Sequence, residues 1–238
     1  MSKVLVSSGC SFAYGHLLPD RTKKYSNLLA DRIGAKLIDV SVSGSSNENI
    51  AAATAYGINQ ALKQVDPSNI TVVVGWTHIN RLEFWSTKIA RIQSVFLTPY
   101  GYSGADLHTK EIGSFVGEKL WEPCYTYYKL LHAFNYVHSL CGIDNIKVIH
   151  LQNLKIDKVE MPSGVILNAS MRTENYTRDV LSPENIAVFE SMCTSLSFSD
   201  LVGKDRKLRV SDDNFHPSEI AHRMWANRIY NIHRSYLT

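Results

Sequence analysis

The segment Ile70–Trp76 constrains the fold more than any other stretch of this 238-residue chain. It reads Ile-Thr-Val-Val-Val-Gly-Trp, and β-branched residues of this kind favour a strand. The run lacks the alternation of apolar and polar side chains that a strand with one solvent-facing side shows. A strand covered on both faces is typical of a parallel sheet with helices on either side. The segment therefore predicts an α/β protein.

Segments with strand character alternate with segments of helical periodicity along the chain. Strands are predicted over Lys3–Ser8, Lys36–Val42, Ile70–Trp76 and Ile146–Leu151. Helices are predicted over Tyr25–Ile33, Asn47–Leu62, Lys119–Leu140 and Pro217–Tyr236, and another begins at Pro183 behind a capping Ser182. This order implies parallel βαβ units with right-handed crossovers. We expect a flavodoxin-like, three-layer α/β/α fold with a central parallel sheet.

The pattern also suggests how the chain is divided. It contains no internal repeat and no Gly/Ser-rich linker, so one domain over residues 1–238 is expected. Between about 86 and 122 the pattern weakens and glycines interrupt it, which indicates an insertion or a lid. A second irregular insertion is expected at about 153–182.

Charge, cysteine and histidine content exclude several classes of function. The formal net charge is +3 without a long Lys/Arg run, so neither nucleic acid nor an anionic membrane is indicated as a partner. The four cysteines show no Cys-x-x-Cys spacing, which disfavours a zinc site or a disulfide framework. The histidines show no metal-ligand spacing either. We expect no metal and no cofactor.

The N-terminal strand is too short for the core of a signal peptide, and no apolar stretch approaches membrane-spanning length. The default expectation is therefore a cytoplasmic protein with free thiols. A virion-associated protein packed into a particle would look the same, and a homo-oligomer is equally compatible with the sequence.

Polar residues follow the predicted strands at the point where each strand ends. Ser11 follows the first strand, Ser43–Asn47 the second and Thr77 the third, while Asp213 and His216 precede the last helix. In a doubly wound parallel sheet the ligand crevice lies at the carboxyl ends of the strands. We expect these residues to meet there, which requires the C-terminal segment to return to the first strand.

Three of these residues have the chemistry of a serine hydrolase. A free hydroxyl is a poor nucleophile at neutral pH, so Ser11 needs a base, and His216 can accept its proton. Asp213, three residues before His216, is near enough to bond the other ring nitrogen and fix the tautomer. Pro217 at the first helical position would hold His216 in place.

An oxyanion hole is the second requirement, because acyl attack places negative charge on the carbonyl oxygen. The backbone N–H groups of Ser11 and Gly44 are the expected donors, since glycine lets the backbone approach the substrate closely. Thr77 is the candidate for a third donor, with Asn47 and Asn80 as substitutes. Gly44 is also compatible with a tight turn alone, and both Ser11 and the Asp-x-x-His segment are compatible with helix capping.

Four blocks, in this order, resemble the SGNH/GDSL hydrolase superfamily over most of the chain. Its Gly-Asp-Ser block corresponds to Gly9-Cys10-Ser11, and its oxyanion-glycine block to Ser41-Val42-Ser43-Gly44. Its third block, Gly-x-Asn-Asp, lines up with Gly75-Trp76-Thr77-His78. Its last block, Asp-x-x-His-Pro, matches Asp213, His216 and Pro217. Cys10 and Thr77 depart from the pattern, since the family has aspartate and asparagine there.

The resemblance implies that Ser11 is the nucleophile, His216 the base and Asp213 its orienting acid. The implied activity is hydrolysis of esters, commonly of acetyl or other acyl groups on sugars or lipids. Trp76 and Arg81, in and after the third block, are expected to contact the substrate. The stretch 75–84 also resembles a subgroup of tailed-phage proteins.

We therefore expect a serine esterase that removes an acyl group, in particular acetyl, from a carbohydrate or another polar alcohol through a Ser-His-Asp triad and an acyl-enzyme. Cys10 and Thr77 leave an alternative open, in which catalysis has decayed and the domain binds a glycan or a protein. A nucleotide-binding flavodoxin-like protein fits less well, because the first turn lacks the Gly-x-Gly-x-x-Gly pattern.

Overall fold

The computed structural model describes residues 2–79, 81–86, 91–98, 101–103, 123–156, 158–160, 166–168 and 180–237. The strands are β1 (Lys3–Gly9), β2 (Ala35–Asp39), β3 (Ile70–Trp76), β4 (Arg81–Ser86), β5 (Arg91–Thr98), β6 (Gly101–Ser103), β7 (Lys147–Gln152), β8 (Lys158–Glu160), β9 (Ile166–Asn168), β10 (Arg209–Ser211) and β11 (Asn214–Pro217). The helices are α1 (Ser11–Tyr14), α2 (Tyr25–Ile33), α3 (Asn47–Leu62), α4 (Pro123–Ile143), α5 (Pro183–Thr194), α6 (Phe198–Lys204), α7 (Glu219–Ile232) and α8 (Arg234–Leu237).

The centre of the molecule is a four-stranded parallel sheet in the order β2-β1-β3-β7. All seven residues of β3 are buried, as expected for the β-branched run Ile70–Trp76. The register pairs Gly9 with Gly75, so β1 and β3 end side by side. The carboxyl ends of the two strands that precede Ser11 and Thr77 are therefore neighbours.

Helices cover both faces of this sheet. The chain steps from β1 to β2 through α2, and in the opposite direction from β2 to β3 through α3. Because such crossovers are right-handed, opposite steps place their helices on opposite faces. α3 contacts α4 on one face, and α2 contacts α7 on the other. The predicted three-layer α/β/α fold with a central parallel sheet is confirmed.

The caps of the helices explain most of their bounds. α2 and α3 have the predicted bounds, and α2 ends at Gly34, whose φ of 65° suits glycine. The Ser182 side chain accepts a hydrogen bond from the Asn185 N–H and caps α5, which begins at Pro183 as predicted. The predicted start of α4 at Lys119 lies outside the described residues.

The prediction that Pro217 begins the last helix is wrong. Pro217 is the final residue of β11 and pairs with Arg209 across an antiparallel β10–β11 ribbon. The helix begins at Glu219 instead, because the Ser218 side chain accepts from the Ala221 N–H and supplies the cap. His216 is therefore held by a strand.

Both predicted insertions contain antiparallel strands in their described parts. β4, β5 and β6 form a three-stranded sheet, and β8 pairs with β9. The rest of 86–122, and residues 157, 161–165 and 169–179 of the second insertion, lie outside the described residues. The assignment of 1–238 to one domain stays a prediction. None of the described helices combines the length and the apolar character needed to cross a membrane.

Candidate active site

Ser11 lies where the sequence predicts it, directly after β1 and at the first position of α1. The extended backbone of Cys10 ends the strand, and Gly15 closes the short helix with a φ of 72°. A helix leaves its first N–H groups without partners inside the helix, so the Ser11 N–H is available as a donor. The Cys10 side chain is buried in the core, which is consistent with a packing role for this departure from the family pattern.

His216 on β11 lies against the segment that carries Ser11. Its ring centroid is 5.6 Å from that of Phe12 and 4.8 Å from that of His16. The C-terminal ribbon thus returns to the carboxyl end of β1, as the sequence requires. Among the described residues no hydrogen bond joins the Ser11 hydroxyl to His216. A catalytic hydrogen bond often forms only when substrate is bound, so the two groups remain candidates.

The partner of the His216 Nδ1 atom is Asn214. The Asn214 Oδ1 atom lies 2.6 Å from Nδ1 and 3.0 Å from the backbone nitrogen of His216. Asp213 is exposed in the two-residue turn between β10 and β11 and makes no hydrogen bond to the imidazole in the described structure. The structure therefore brings Asn214, not Asp213, to the ring nitrogen that the sequence assigned to Asp213.

Burial is the first cause that lowers the pKa of His216, to about 4, and the positive charges of His16 and Arg81 add to it. The imidazole is neutral above this pH and can accept a proton. His16 also lies 3.3 Å, Nδ1 to Oγ, from Ser43 of the second block. His16 was not predicted as a site residue, although it follows Gly15 by one position.

The second and third blocks are tied to each other by Asn47 and Thr77. The Thr77 N–H donates to Asn47 Oδ1 at 2.9 Å, and the Asn47 side-chain amide donates to the Thr77 carbonyl at 3.2 Å. The Thr77 hydroxyl is fully buried and has no hydrogen-bond partner among the described residues. Gly44 has a φ of 90°, a conformation that favours glycine. Asn80, the other substitute donor, lies outside the described residues.

β4 is attached to the start of α3. The Ser46 N–H donates to Glu83 Oε1 at 2.5 Å. Burial is the main cause that raises the pKa of Glu83, with Glu48 adding to it and Arg81 opposing it. Arg81 thus acts electrostatically on both Glu83 and His216. Its contact with substrate stays a prediction.

Trp76 does not line the crevice. Its side chain is fully buried, its ring stacks on His150 at 5.9 Å, and its Nε1 atom donates to His150 Nδ1 at 3.2 Å. The expectation that Trp76 contacts substrate is therefore not met, because the strand directs this residue into the core. A large apolar side chain at the end of a fully buried strand packs in the core more often than it contacts a ligand.

Asn153, which directly follows β7, lies beside the carboxyl ends of β1 and β3. Its Nδ2 atom donates to the Gly75 carbonyl at 3.2 Å. A Cβ atom at Gly75 would lie 2.1 Å from this nitrogen, and one at Gly9 would lie 2.9 Å from it. The glycines of the first and third blocks are therefore needed because the Asn153 amide occupies the space beside them. Its position at a strand end is the signal that could have predicted it.

In the part of the chain that the structure describes, no three His, Cys, Asp or Glu side chains are grouped to hold a metal ion. The carboxyl end of β1 carries a serine at a helix start and lies beside an imidazole whose pKa is below its ordinary value. That inventory suits proton transfer and acyl chemistry.

The four-stranded parallel sheet with helices on both faces has the fold of solved esterases and G-D-S-L family proteins. No protein-family model matches the chain, and a comparison with curated protein sequences gives no significant match.

Solved structures give the comparison at the level of fold. The esterase EstA from Pseudoalteromonas sp. matches with a TM-score of 0.53 and 14% identity over 99% of both chains. TesA matches with a TM-score of 0.51 and 15% identity over 99% of this chain and 100% of its own. A protein assigned to the lipolytic G-D-S-L family from Desulfitobacterium hafniense DCB-2 has a TM-score of 0.50 and 10% identity over 97% and 99% of the two chains. The resemblance to tailed-phage proteins stays a prediction.

Proposed function

We propose that the protein is a serine esterase that hydrolyses an acyl ester, with acetyl as the acyl group and a carbohydrate or another polar molecule as the alcohol. The observation that carries the proposal is the position of His216. Its imidazole, neutral above a pH of about 4, lies against the short helix whose first residue is Ser11. The proposal is supported by their location near the carboxyl end of β1, because parallel α/β proteins bind their ligands at this edge of the sheet.

In the first half of the reaction Ser11 Oγ attacks the carbonyl carbon of the ester, and His216 Nε2 takes the hydroxyl proton. The carbonyl oxygen becomes an oxyanion, which accepts hydrogen bonds from the N–H groups of Ser11 and Gly44 and from the Thr77 hydroxyl. Collapse of this intermediate breaks the bond to the alcohol oxygen. His216 returns the proton to that oxygen, and the acyl group remains on Ser11.

In the second half a water molecule attacks the acyl-enzyme, again with His216 as the proton acceptor. The second oxyanion uses the same donors. Its collapse releases the carboxylic acid and restores the Ser11 hydroxyl. No metal or organic cofactor enters either half.

The polar rim of the crevice supports the assignment of a polar alcohol. His16 and Arg81 lower the pKa of the proposed base His216, and Glu83 accepts a hydrogen bond from the Ser46 N–H, just after the second block. Charged groups of this kind can bond sugar hydroxyls, whereas a long acyl chain would require an apolar channel. EstA is an esterase inhibited by monoethylphosphonate, and an ester hydrolase with this fold is the precedent.

Turnover of p-nitrophenyl acetate and of acetylated glycans tests the proposal, together with labelling by a fluorophosphonate. We expect wild type to be active and labelled at Ser11, and Ser11→Ala to be inactive and unlabelled. Ser68→Ala, at an exposed serine before β3, is the matched control and retains both properties. An active Ser11→Ala variant, or a label on another residue, would overturn the proposal.

A binding module without hydrolysis is the second candidate. It is favoured by the absence of a carboxylate on His216 and by the absence of a hydrogen bond between Ser11 and the imidazole in the described structure. This candidate predicts glycan or protein binding that Ser11→Ala leaves unchanged, with no turnover of any ester in the panel.

A further inference from the structure

Two donors converge on a single side-chain oxygen beside the proposed base. The backbone N–H of His216 and its Nδ1 atom both contact Asn214 Oδ1, at 3.0 Å and 2.6 Å. A backbone N–H can only donate, so the amide atom that it meets must be the acceptor oxygen and not the NH₂ group. The same oxygen then requires a donor at Nδ1. His216 is therefore the tautomer with its proton on Nδ1, which leaves a lone pair on Nε2.

The turn that connects β10 and β11 separates the two candidate orienting residues. Asp213 lies in this turn and is exposed, whereas Asn214 is the first residue of β11 and is partly buried. Asn214 and His216 are two residues apart on one strand, so their side chains share a face. Asp213 precedes the strand and has no bond to His216 in the described structure.

The charged and titratable groups around β11 agree with this placement. They are His16 after α1, Arg81 on β4, Arg209 on β10, Asp200 on α6, Glu219 on α7, and Asp212 and Asp213 in the turn. The pKa of His216 is lowered by burial, His16 and Arg81, and no carboxylate is among the causes. A carboxylate hydrogen-bonded to Nδ1 would raise the pKa of His216, because its negative charge favours the imidazolium.

We propose that Asn214, and not Asp213, is the residue that positions His216, so that a neutral amide sets the tautomer of the base. The catalytic meaning of this inference rests on the proposed esterase function, but the tautomer does not. An amide orients the ring as an acid would, and it lacks the charge that stabilises the imidazolium formed during the reaction. The base is therefore correctly oriented but weak.

Imidazole ¹⁵N resonances of the full-length protein test the tautomer directly, without any substrate. We expect the Nδ1–H form in wild type, retention of that form in Asp213→Ala, and a mixture of tautomers in Asn214→Ala. Asp212→Ala, at the neighbouring exposed position of the same turn, is the matched control. Thermal melts establish that each variant is folded. A loss of the Nδ1–H form in Asp213→Ala that equals or exceeds that in Asn214→Ala would overturn the proposal.

Asn214→Asp is the conservative variant, because a carboxylate oxygen can accept both hydrogen bonds. We expect it to keep the tautomer and to raise the pKa of His216 by about one unit or more. In Asn214→Asp the acidic limb of the profile of kcat/KM against pH should move to higher pH by the same amount. In Asn214→Ala kcat should fall about 10²-fold. An unmoved pKa in Asn214→Asp contradicts the inference. If wild type and every variant lacked esterase activity while the tautomers were as expected, the proposed esterase function would be refuted. The positioning role of Asn214 would stand.

Discussion

Thr77 carries a hydroxyl that the fold buries completely without a hydrogen-bond partner among the described residues. Leaving a buried polar group unsatisfied costs about 1–3 kcal/mol, so an apolar residue of the same shape would suit the resting protein better. The proposed oxyanion role would give the hydroxyl an acceptor in the tetrahedral intermediate, and it requires that substrate binding open access to Thr77.

Thr77→Val removes the hydroxyl and keeps the shape. We expect the free energy of unfolding to stay constant or to rise by about 1 kcal/mol, while kcat falls about 10²-fold through loss of one oxyanion donor. Urea unfolding and steady-state kinetics measure the two quantities. Thr54→Val is the control: the Thr54 hydroxyl is buried and donates to the Ile50 carbonyl at 2.6 Å. That variant should lose about 1 kcal/mol of stability and keep kcat. An unchanged kcat in Thr77→Val would remove Thr77 from the oxyanion hole.

Single residues also mark where the sequence is informative about the site. The strand-end rule and the family blocks predict where Ser11, His216 and Thr77 lie, and the φ of 90° at Gly44 is compatible with either of the two roles that the sequence leaves open for it. The same blocks direct attention to Asp213 and away from Asn214. Which of two adjacent residues faces the histidine depends on where the β10–β11 turn ends, and the sequence analysis predicts no strand before the helix that it begins at Pro217.

At the scale of elements, α3 packs unusually close to β1 through Gly57. A Cβ atom at this position would lie 2.7 Å from Val6 Cγ1 and 3.3 Å from Val40 Cγ2. Val6 is fully buried in the middle of the sheet, so it has little room to move. The glycine therefore sets the distance between the helix and the sheet, and the second block, Ser41–Gly44, lies shortly before the start of α3.

Gly57→Ala should be destabilising. Overpacking costs about 1–3 kcal/mol and the gain in helix propensity offsets about 1 kcal/mol of that, so we expect a net loss of about 1 kcal/mol in urea unfolding. Gly142→Ala, near the end of α4, is the matched control because no atom lies within 4 Å of the added Cβ. It should be neutral or stabilising by up to about 1 kcal/mol. Equal effects in the two variants would show that the contact between α3 and β1 is not tight.

The elements differ in how well the sequence predicts them, for physical reasons. α2 and α3 were predicted with their bounds, because apolar spacing and end signals agree there: Gly34 follows α2, and Ser46 caps α3. The short antiparallel strands β4, β10 and β11 were not predicted. β10 and β11 bury few residues. The pairing of short antiparallel strands depends on turns and tertiary context, which local patterns do not encode. Pro217 was assigned to a helix for the same reason.

At the scale of the whole molecule, buried histidines take part in the packing on both faces of the sheet. His150 on β7 accepts from Trp76 and lies 3.2 Å, Nε2 to Nδ1, from His138 on α4. On the other face His222 on α7 is fully buried, and its Nδ1 atom accepts from the Tyr25 N–H at 3.2 Å. In both cases a neutral ring is part of the packing, so protonation opposes the folded state.

The direction of the resulting pH dependence follows from the pKa values. Burial is the first cause that lowers the pKa of His150 and of His222 from 6.5 to about 3, and His138 and Lys24 add to it respectively. Below pH 6.5 the unfolded chain therefore binds protons that the folded protein does not. The free energy of unfolding falls as the pH is lowered through this window, by about 1 kcal/mol per pH unit for each such histidine. The loss continues until the pH reaches the folded-state pKa.

Replacement of His222 separates its contribution from that of the other titrating groups. His222→Gln keeps an acceptor for the Tyr25 N–H and has no proton to gain, so urea unfolding between pH 6 and pH 4 should show a slope that is smaller by about 1 kcal/mol per pH unit. His132→Gln, at an exposed histidine of α4, is the matched control and should keep the wild-type slope. If His222→Gln retained the wild-type slope, the acid sensitivity would come from groups other than His222. The packing of α7 against α2 would then tolerate a charged imidazole at His222, although the ring is fully buried.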